Sequence, residues 1–165
     1  MNDKQRMAKI LDILAKEYPN VKIQLNFSNP FELLIATILS AQCTDERVNK
    51  VTPSLFKKYK SPSDYVNIPI EELEKEIYST GYYKAKAKHI KEMSKMLLEK
   101  YNGVVPSQLE ELIKLPGVGR KTANVVLGHC FNVPAIVVDT HVIKLSNRLG
   151  FVCTKNAEII ERKLM

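Results

Sequence analysis

The chain has no tryptophan, only three cysteines and few acidic residues, and it has no long apolar run. Each shortage excludes something. A membrane-spanning helix needs about 18 or more consecutive apolar residues, and no stretch approaches that length. The N-terminus, MNDKQRMAKILDILAKEYP, is polar and amphipathic and has no apolar signal core. A soluble, cytoplasmic protein with no membrane partner is expected. Cys43, Cys130 and Cys153 stand far apart without C-x-x-C spacing, so they form no metal or disulfide framework. Packing in the reduced state is their expected role, and no metal ligands are assigned. With 18 Asp and Glu against 25 Lys and Arg, the net charge is +7. That excess points to a polyanion, most often nucleic acid; a basic protein without such a partner is the alternative.

What is present suffices for one domain, or for two small lobes sharing a core. At 165 residues, folding buries roughly 70% of the unfolded surface without help from disulfide or metal. Little β-branched alternation is seen, and the chain reads as short helices punctuated by Pro, Gly and Asn. Met7, Ile10, Leu11 and Leu14 give an amphipathic first helix. Asn29-Pro30 opens FELLIATILS (31–40), which is apolar all round and therefore central. Asp45 caps the next helix, which Pro53 is expected to kink or split. IEELEKEIYST (70–80) runs to a stop at Gly81. Residues 83–102 carry Ile90, Met93, Leu97 and Tyr101 on one stripe. Lys84, Lys86, Lys88, Lys91, Lys95 and Lys100 surround it as a solvated face. Ser107-x-x-Glu110 has the form of a capping box. A helix starts at Asp139, and another starts near Asn156.

Between SQLEELIK and KTANVVLGH lies LPGVGR, giving helix, tight turn, helix (about 107–128). Gly117 and Gly119 permit positive φ or close approach of the backbone to an outside group. With Val118 between them and Arg120 after them, their amides open a helix N-terminus suited to one phosphate. Such a contact fixes register without reading bases. The spacing fits neither a Walker loop nor a dinucleotide fingerprint. Lys121 is either a second phosphate contact or an amine nucleophile. The latter needs a neutral nitrogen, whereas a free lysine titrates near ~10.4; Arg120 beside it and partial desolvation would favour neutrality. Asp139, in VVDTHV, is an N-cap and a candidate carboxylate for proton transfer or for stabilising positive charge on a sugar. His141 is expected to pack or to donate a hydrogen bond.

LPGVGRKTANVVL followed by VDTH resembles the helix-hairpin-helix DNA glycosylases, and within them the endonuclease III branch. QLNFSNPFELLIATILSAQCTDERVNKVTP (24–53) resembles the branch's first barrel helices and its LSAQ-x-TD loop, and GYYKAKAKHI (81–90) another of its segments. The resemblance implies an all-α fold: a six-helix barrel lobe over 22–134, and a second lobe, incomplete here, from 1–21 and 135–165. It implies a base-excision repair glycosylase with AP-lyase activity on oxidised pyrimidines or abasic sites in double-stranded DNA, acting as a monomer near the bacterial nucleoid. Lys121 matches the Schiff-base nucleophile and Asp139 the carboxylate assisting it. Gln42 matches the residue that fills the gap in the duplex, and Tyr82 falls in a second wedge loop. The helix LLIATILSAQ carries no carboxylate of the kind adenine-specific relatives use, and Lys121 argues against relatives without lyase activity. A monofunctional adenine or alkylbase glycosylase and a non-catalytic DNA-binding fragment are the alternatives.

The branch also carries a C-x6-C-x2-C-x5-C pattern for a [4Fe-4S] cluster, which the chain does not contain before Met165. Cys43, Cys130 and Cys153 do not match it. The expectation is a truncated product that binds no cluster as it stands, with Ile159, Ile160, Leu164 and Met165 short of packing partners.

Overall fold

The computed structural model describes residues 2–165, and no strand forms among them. The helices are α1 (Asp3–Glu17), α2 (Pro30–Ser40), α3 (Asp45–Lys58), α4 (Pro62–Asn67) and α5 (Ile70–Ile77). A 3-10 turn (Tyr78–Thr80) precedes α6 (Tyr83–Tyr101), α7 (Leu109–Leu112), α8 (Arg120–Cys130), α9 (Thr140–Arg148) and α10 (Ala157–Leu164). The chain is all-α, as its composition and punctuation indicate. None of the described helices is long and apolar enough to cross a membrane.

Helix α2 is the centre. The Asn29 side chain accepts from the Glu32 amide and Pro30 sits at the first position, so the helix starts where the sequence signals it. From Phe31 to Leu39 every residue except Glu32 is buried. Helices α3, α6 and α8 pack around it, and Ile90, Met93 and Leu97 of α6 lie fully inside. The main core runs from Leu25 to Leu127 in sequence. Val138, Phe151 and Ile160 are buried outside that cluster, and Arg6 of α1 lies 4.4 Å above the Phe151 ring.

Several sequence expectations need correction. Pro53 does not split α3, which runs as one helix from a Thr44 cap, one residue before the expected Asp45. Pro53 lies on the exposed side, where water can serve the Asn49 carbonyl that loses its helical donor. The Ser107–Glu110 capping box does not form: α7 is a single turn starting after Gln108, with no side-chain cap, held by buried Leu112 and Leu115. The apolar stripe of α1 is covered only in part: Met7 and Ile10 are half-buried, whereas Leu11 and Leu14 stay exposed. In α10, Ile160 is fully buried, whereas Ile159 and Met165 are exposed.

The lysine face of α6 is also not uniformly solvated. Lys91 Nζ donates to the carbonyls of Tyr65, Val66 and Ile68, pairing the end of α4. Lys86 is buried, and its Nζ donates to the carbonyls of Leu39 and Thr80, each at 2.7 Å. Orphan carbonyls at helix ends need donors when no water reaches them, and these two lysines supply them.

Candidate nucleic-acid interface and active site

The two glycines of the hairpin serve different ends. Gly117 has φ +76°, and a Cβ there would lie 2.8 Å from the Cβ of His89 on α6. Its requirement is internal, a left-handed turn pressed against a neighbouring helix. Gly119 is extended (φ −87°, ψ 173°), so the expectation of positive φ holds for Gly117 alone. Nothing lies within 4 Å of a Cβ built at Gly119, which leaves its backbone open to approach from outside. Val118 is buried and its N–H donates to Leu115 O, so its side chain packs into the core. No side chain caps α8 at Gly119. The first amides of α8 are thus available to an anion, and the helix dipole favours one there.

Arg120 does not extend freely toward phosphate, as the sequence reading has it. Its Nε and Nη2 donate to the two carboxylate oxygens of Glu161 in α10, both at 2.8 Å. Glu161 is largely buried, and the Arg120 fork holds its carboxyl below the usual range, with Asn124 contributing. Asn124 Nδ2 in turn donates to Ile136 O at 3.1 Å. This network ties the first turns of α8 to α10 and to the segment leading into Asp139.

Lys121 is exposed at the second position of α8 and enters no salt bridge among the described residues. Arg120, beside it, is paired with Glu161, and the Lys121 side chain faces water. Asp139 is the N-cap of α9: its Oδ1 accepts from the amides of His141 and Val142, both at 2.9 Å. Its Oδ2 has no partner among the described residues. The half-buried carboxylate thus caps with one oxygen and keeps the other free. His141 contributes its amide to that cap, and its side chain is exposed instead of packed.

Gln42 and Tyr82 share a conformation. Both are exposed and left-handed, with φ 52° and 49°, Gln42 between α2 and α3 and Tyr82 at the start of α6. The three cysteines stay apart: Cys43 follows α2, Cys130 ends α8 and Cys153 follows α9. Among the described residues no cluster of three or more Cys, His, Asp or Glu could hold a metal. These residues do not fit a four-cysteine iron-sulfur centre.

A family profile described as HhH-GPD superfamily base excision DNA repair protein matches residues 35–165. Endonuclease III of Bacillus subtilis (strain 168) is 53% identical over 156 residues, covering 94% of this chain and 71% of that protein. The chain belongs to the endonuclease III branch of this superfamily. A trapped endonuclease III–DNA covalent intermediate superposes with TM-score 0.92 at 54% identity, over 100% of this chain and 78% of that one. A thermostable thymine-DNA glycosylase gives TM-score 0.84 at 25% identity, covering 98% and 78%. The helix-hairpin-helix glycosylase fold is therefore that of this endonuclease III family member.

Two residues of the site escape sequence reasoning. Glu161 lies 41 residues beyond Arg120, and no local pattern pairs them. Asn124 reads as one more small helix residue, although its place one turn after Arg120 puts it on the same face.

Two expectations follow for the hairpin. Gly117→Ala should cost about 2 kcal/mol or more from left-handed strain and the His89 contact, whereas Gly119→Ala should cost only about 0.5–1 kcal/mol as a poorer N-cap. Urea unfolding measures both, and equal costs would contradict the division of roles. Glu161→Gln tests the network. The depressed carboxyl contributes stability that is fully present above the unfolded value near ~4.3 and is lost as pH falls through the lower folded value. The variant should be less stable at pH 7 by about 1–2 kcal/mol, discounted for the partly exposed Arg120. Its unfolding midpoint should also fall less steeply as pH drops below the ordinary glutamate range.

Proposed function

We propose that the chain is a base-excision repair DNA glycosylase with AP-lyase activity, that it acts on oxidised pyrimidines in duplex DNA, and that Lys121 is its nucleophile. The observations that support the reading are an open, uncapped start of α8, an exposed lysine in its first turn, and an Asp139 carboxylate with one oxygen unpaired; the Arg120–Glu161 and Asn124–Ile136 bonds hold α8 to α10 and to the segment leading into Asp139. Gly119 and the following amides grip a backbone phosphate, which fixes register without reading sequence. The lesion is swung out of the stack toward α8, since its C1′ is unreachable inside a duplex. Gln42 fills the space the extruded base leaves, and Tyr82 enters as a second wedge able to stack. The barrel lobe 22–134 carries the hairpin and both wedges, and 1–21 with 135–165 forms the second lobe that carries Asp139 and Glu161.

Attack of the neutral Lys121 amine on C1′ forms an N–C bond as the bond to the base breaks. The departing base takes the electron pair and a proton. Ring opening of the sugar gives an imine between Lys121 and C1′. Loss of the C2′ proton then expels the 3′ phosphate by β-elimination, and water hydrolyses the imine to free the lysine. The unpaired Oδ2 of Asp139 stabilises the positive charge developing on the sugar and accepts a proton from the attacking nitrogen. Water excluded by the closing duplex supplies the desolvation that the free site lacks.

A duplex carrying thymine glycol tests this. The wild-type chain should release the base, cleave the strand and form a borohydride-trapped adduct, and Lys121→Ala should lose all three while binding DNA. Asp139→Asn should slow excision by about 10²-fold or more with little change in stability, because Asn is as good an N-cap as Asp. Base release without strand cleavage would instead support a monofunctional glycosylase. Equal binding by wild type and Lys121→Ala, with no cleavage by either, would support a non-catalytic DNA-binding module.

A further inference from the structure

We propose that Lys86 is a positioning residue that locks the Gln42 and Tyr82 loops into one unit, so that both side chains enter the duplex at a fixed spacing. The inference rests on the wedge roles given above to Gln42 and Tyr82. Lys86 lies in the second turn of α6 at 4% exposure, and its ammonium has no salt-bridge partner among the described residues. Burying a cation without a counter-ion is costly unless hydrogen bonds replace its water. Its partners are two backbone carbonyls on separate elements. Leu39 O lies in the last turn of α2, and Thr80 O ends the 3-10 turn.

Both carbonyls sit directly before the loops in question. Gln42 is three residues past Leu39, and Tyr82 is two past Thr80. The remaining terminal carbonyls of α2 find partners within their own loop. Thr37 O accepts from Ser40 Oγ, Ile38 O from Ala41 N and Ser40 O from Cys43 N. Only Leu39 O is served from outside, by the same nitrogen that holds Thr80 O. The Lys86 amide also donates to Tyr82 O at 3.0 Å, fastening the second loop from its other end.

A helix end can be closed locally by glycine or a hydroxyl without burying charge. A single nitrogen with several donors does what a local cap cannot, since it joins two chain segments at one point. Gln42 and Tyr82 hold left-handed backbones, each costing a non-glycine residue about 1 kcal/mol or more, and such conformations persist only where the surroundings over-determine them. Burial pulls the Lys86 ammonium below the usual lysine range, with Cys43 acting in the opposite sense. The direct consequence is mechanical: neither wedge can shift without disturbing the bond that holds the other.

The test is Lys86→Met, which keeps the length and removes the charge. It is measured with a duplex containing a tetrahydrofuran abasic analogue against the undamaged duplex. The lesion-to-undamaged affinity ratio should fall about tenfold, with affinity for undamaged DNA little changed and the melting temperature lowered, because two carbonyls lose their donor. Gln42→Ala and Tyr82→Ala should each lower the ratio in the wild type and lower it less in the Lys86→Met background, because residues acting as a unit are non-additive. An unchanged ratio in Lys86→Met, or losses that multiply independently, would overturn the inference while leaving the wedge roles standing. If Gln42→Ala and Tyr82→Ala leave the ratio unchanged, the wedge roles fail and the inference with them. Should Lys86→Met not fold, Lys86→Gln removes the charge and ends one bond short of the Nζ position, so it cannot hold both carbonyls at 2.7 Å. The same non-additive pattern is then expected at smaller amplitude, and an intact ratio would overturn the inference.

Discussion

Helix α2 has no side to give to water. Its burial from Phe31 to Leu39 organises α3, α6 and α8 around it, and the same burial creates a problem at its C-terminal end. Carbonyls there must find donors inside the protein. Three are satisfied within the following loop and the fourth by Lys86, which reaches across to the end of the 3-10 turn. The demand of one buried helix thus fixes two exposed loops. The residues at their tips, Gln42 and Tyr82, both hold left-handed backbones.

In the hairpin, packing and chemistry fall to different glycines. Gly117 lets the hairpin turn press against His89, and Gly119 leaves the start of α8 open. The uncapped amides there suit an anion by backbone geometry, without a charged side chain. That frees Arg120 to hold α10 through Glu161, while Asn124 holds the strand-like segment ahead of Asp139. Lys121 is left as the exposed cation at that helix start, next to amides that bring DNA to it. The lysine and the carboxylate proposed for the chemistry stand at the starts of different helices, α8 and α9.

Much of this was legible in the sequence, because the strongest signals are local. Asn29-Pro30, the all-apolar 31–39, Gly81 and the Asp139 cap each obey a rule acting over a few residues, and each element appears. Pro53 misleads because its cost depends on which side of the helix faces water, and period alone does not give that. Ser107 and Glu110 mislead because the burial of Leu112 and Leu115 outweighs a cap worth about 1 kcal/mol. Lys86 carried a signal that the charge reading passed over. It falls four residues before Ile90, seven before Met93 and eleven before Leu97, on the buried stripe and off the solvated face. The Arg120–Glu161 pair spans too much chain for any spacing rule to find.

The central claim is that the amine at the start of α8 makes the covalent bond to the sugar, and peptide mapping of the borohydride-reduced adduct tests it directly. Digestion of the trapped complex and mass spectrometry should place the sugar fragment on Lys121, within the peptide spanning the hairpin and α8. A fragment found on another lysine, or on the N-terminal amine, would contradict the account, whatever the level of activity.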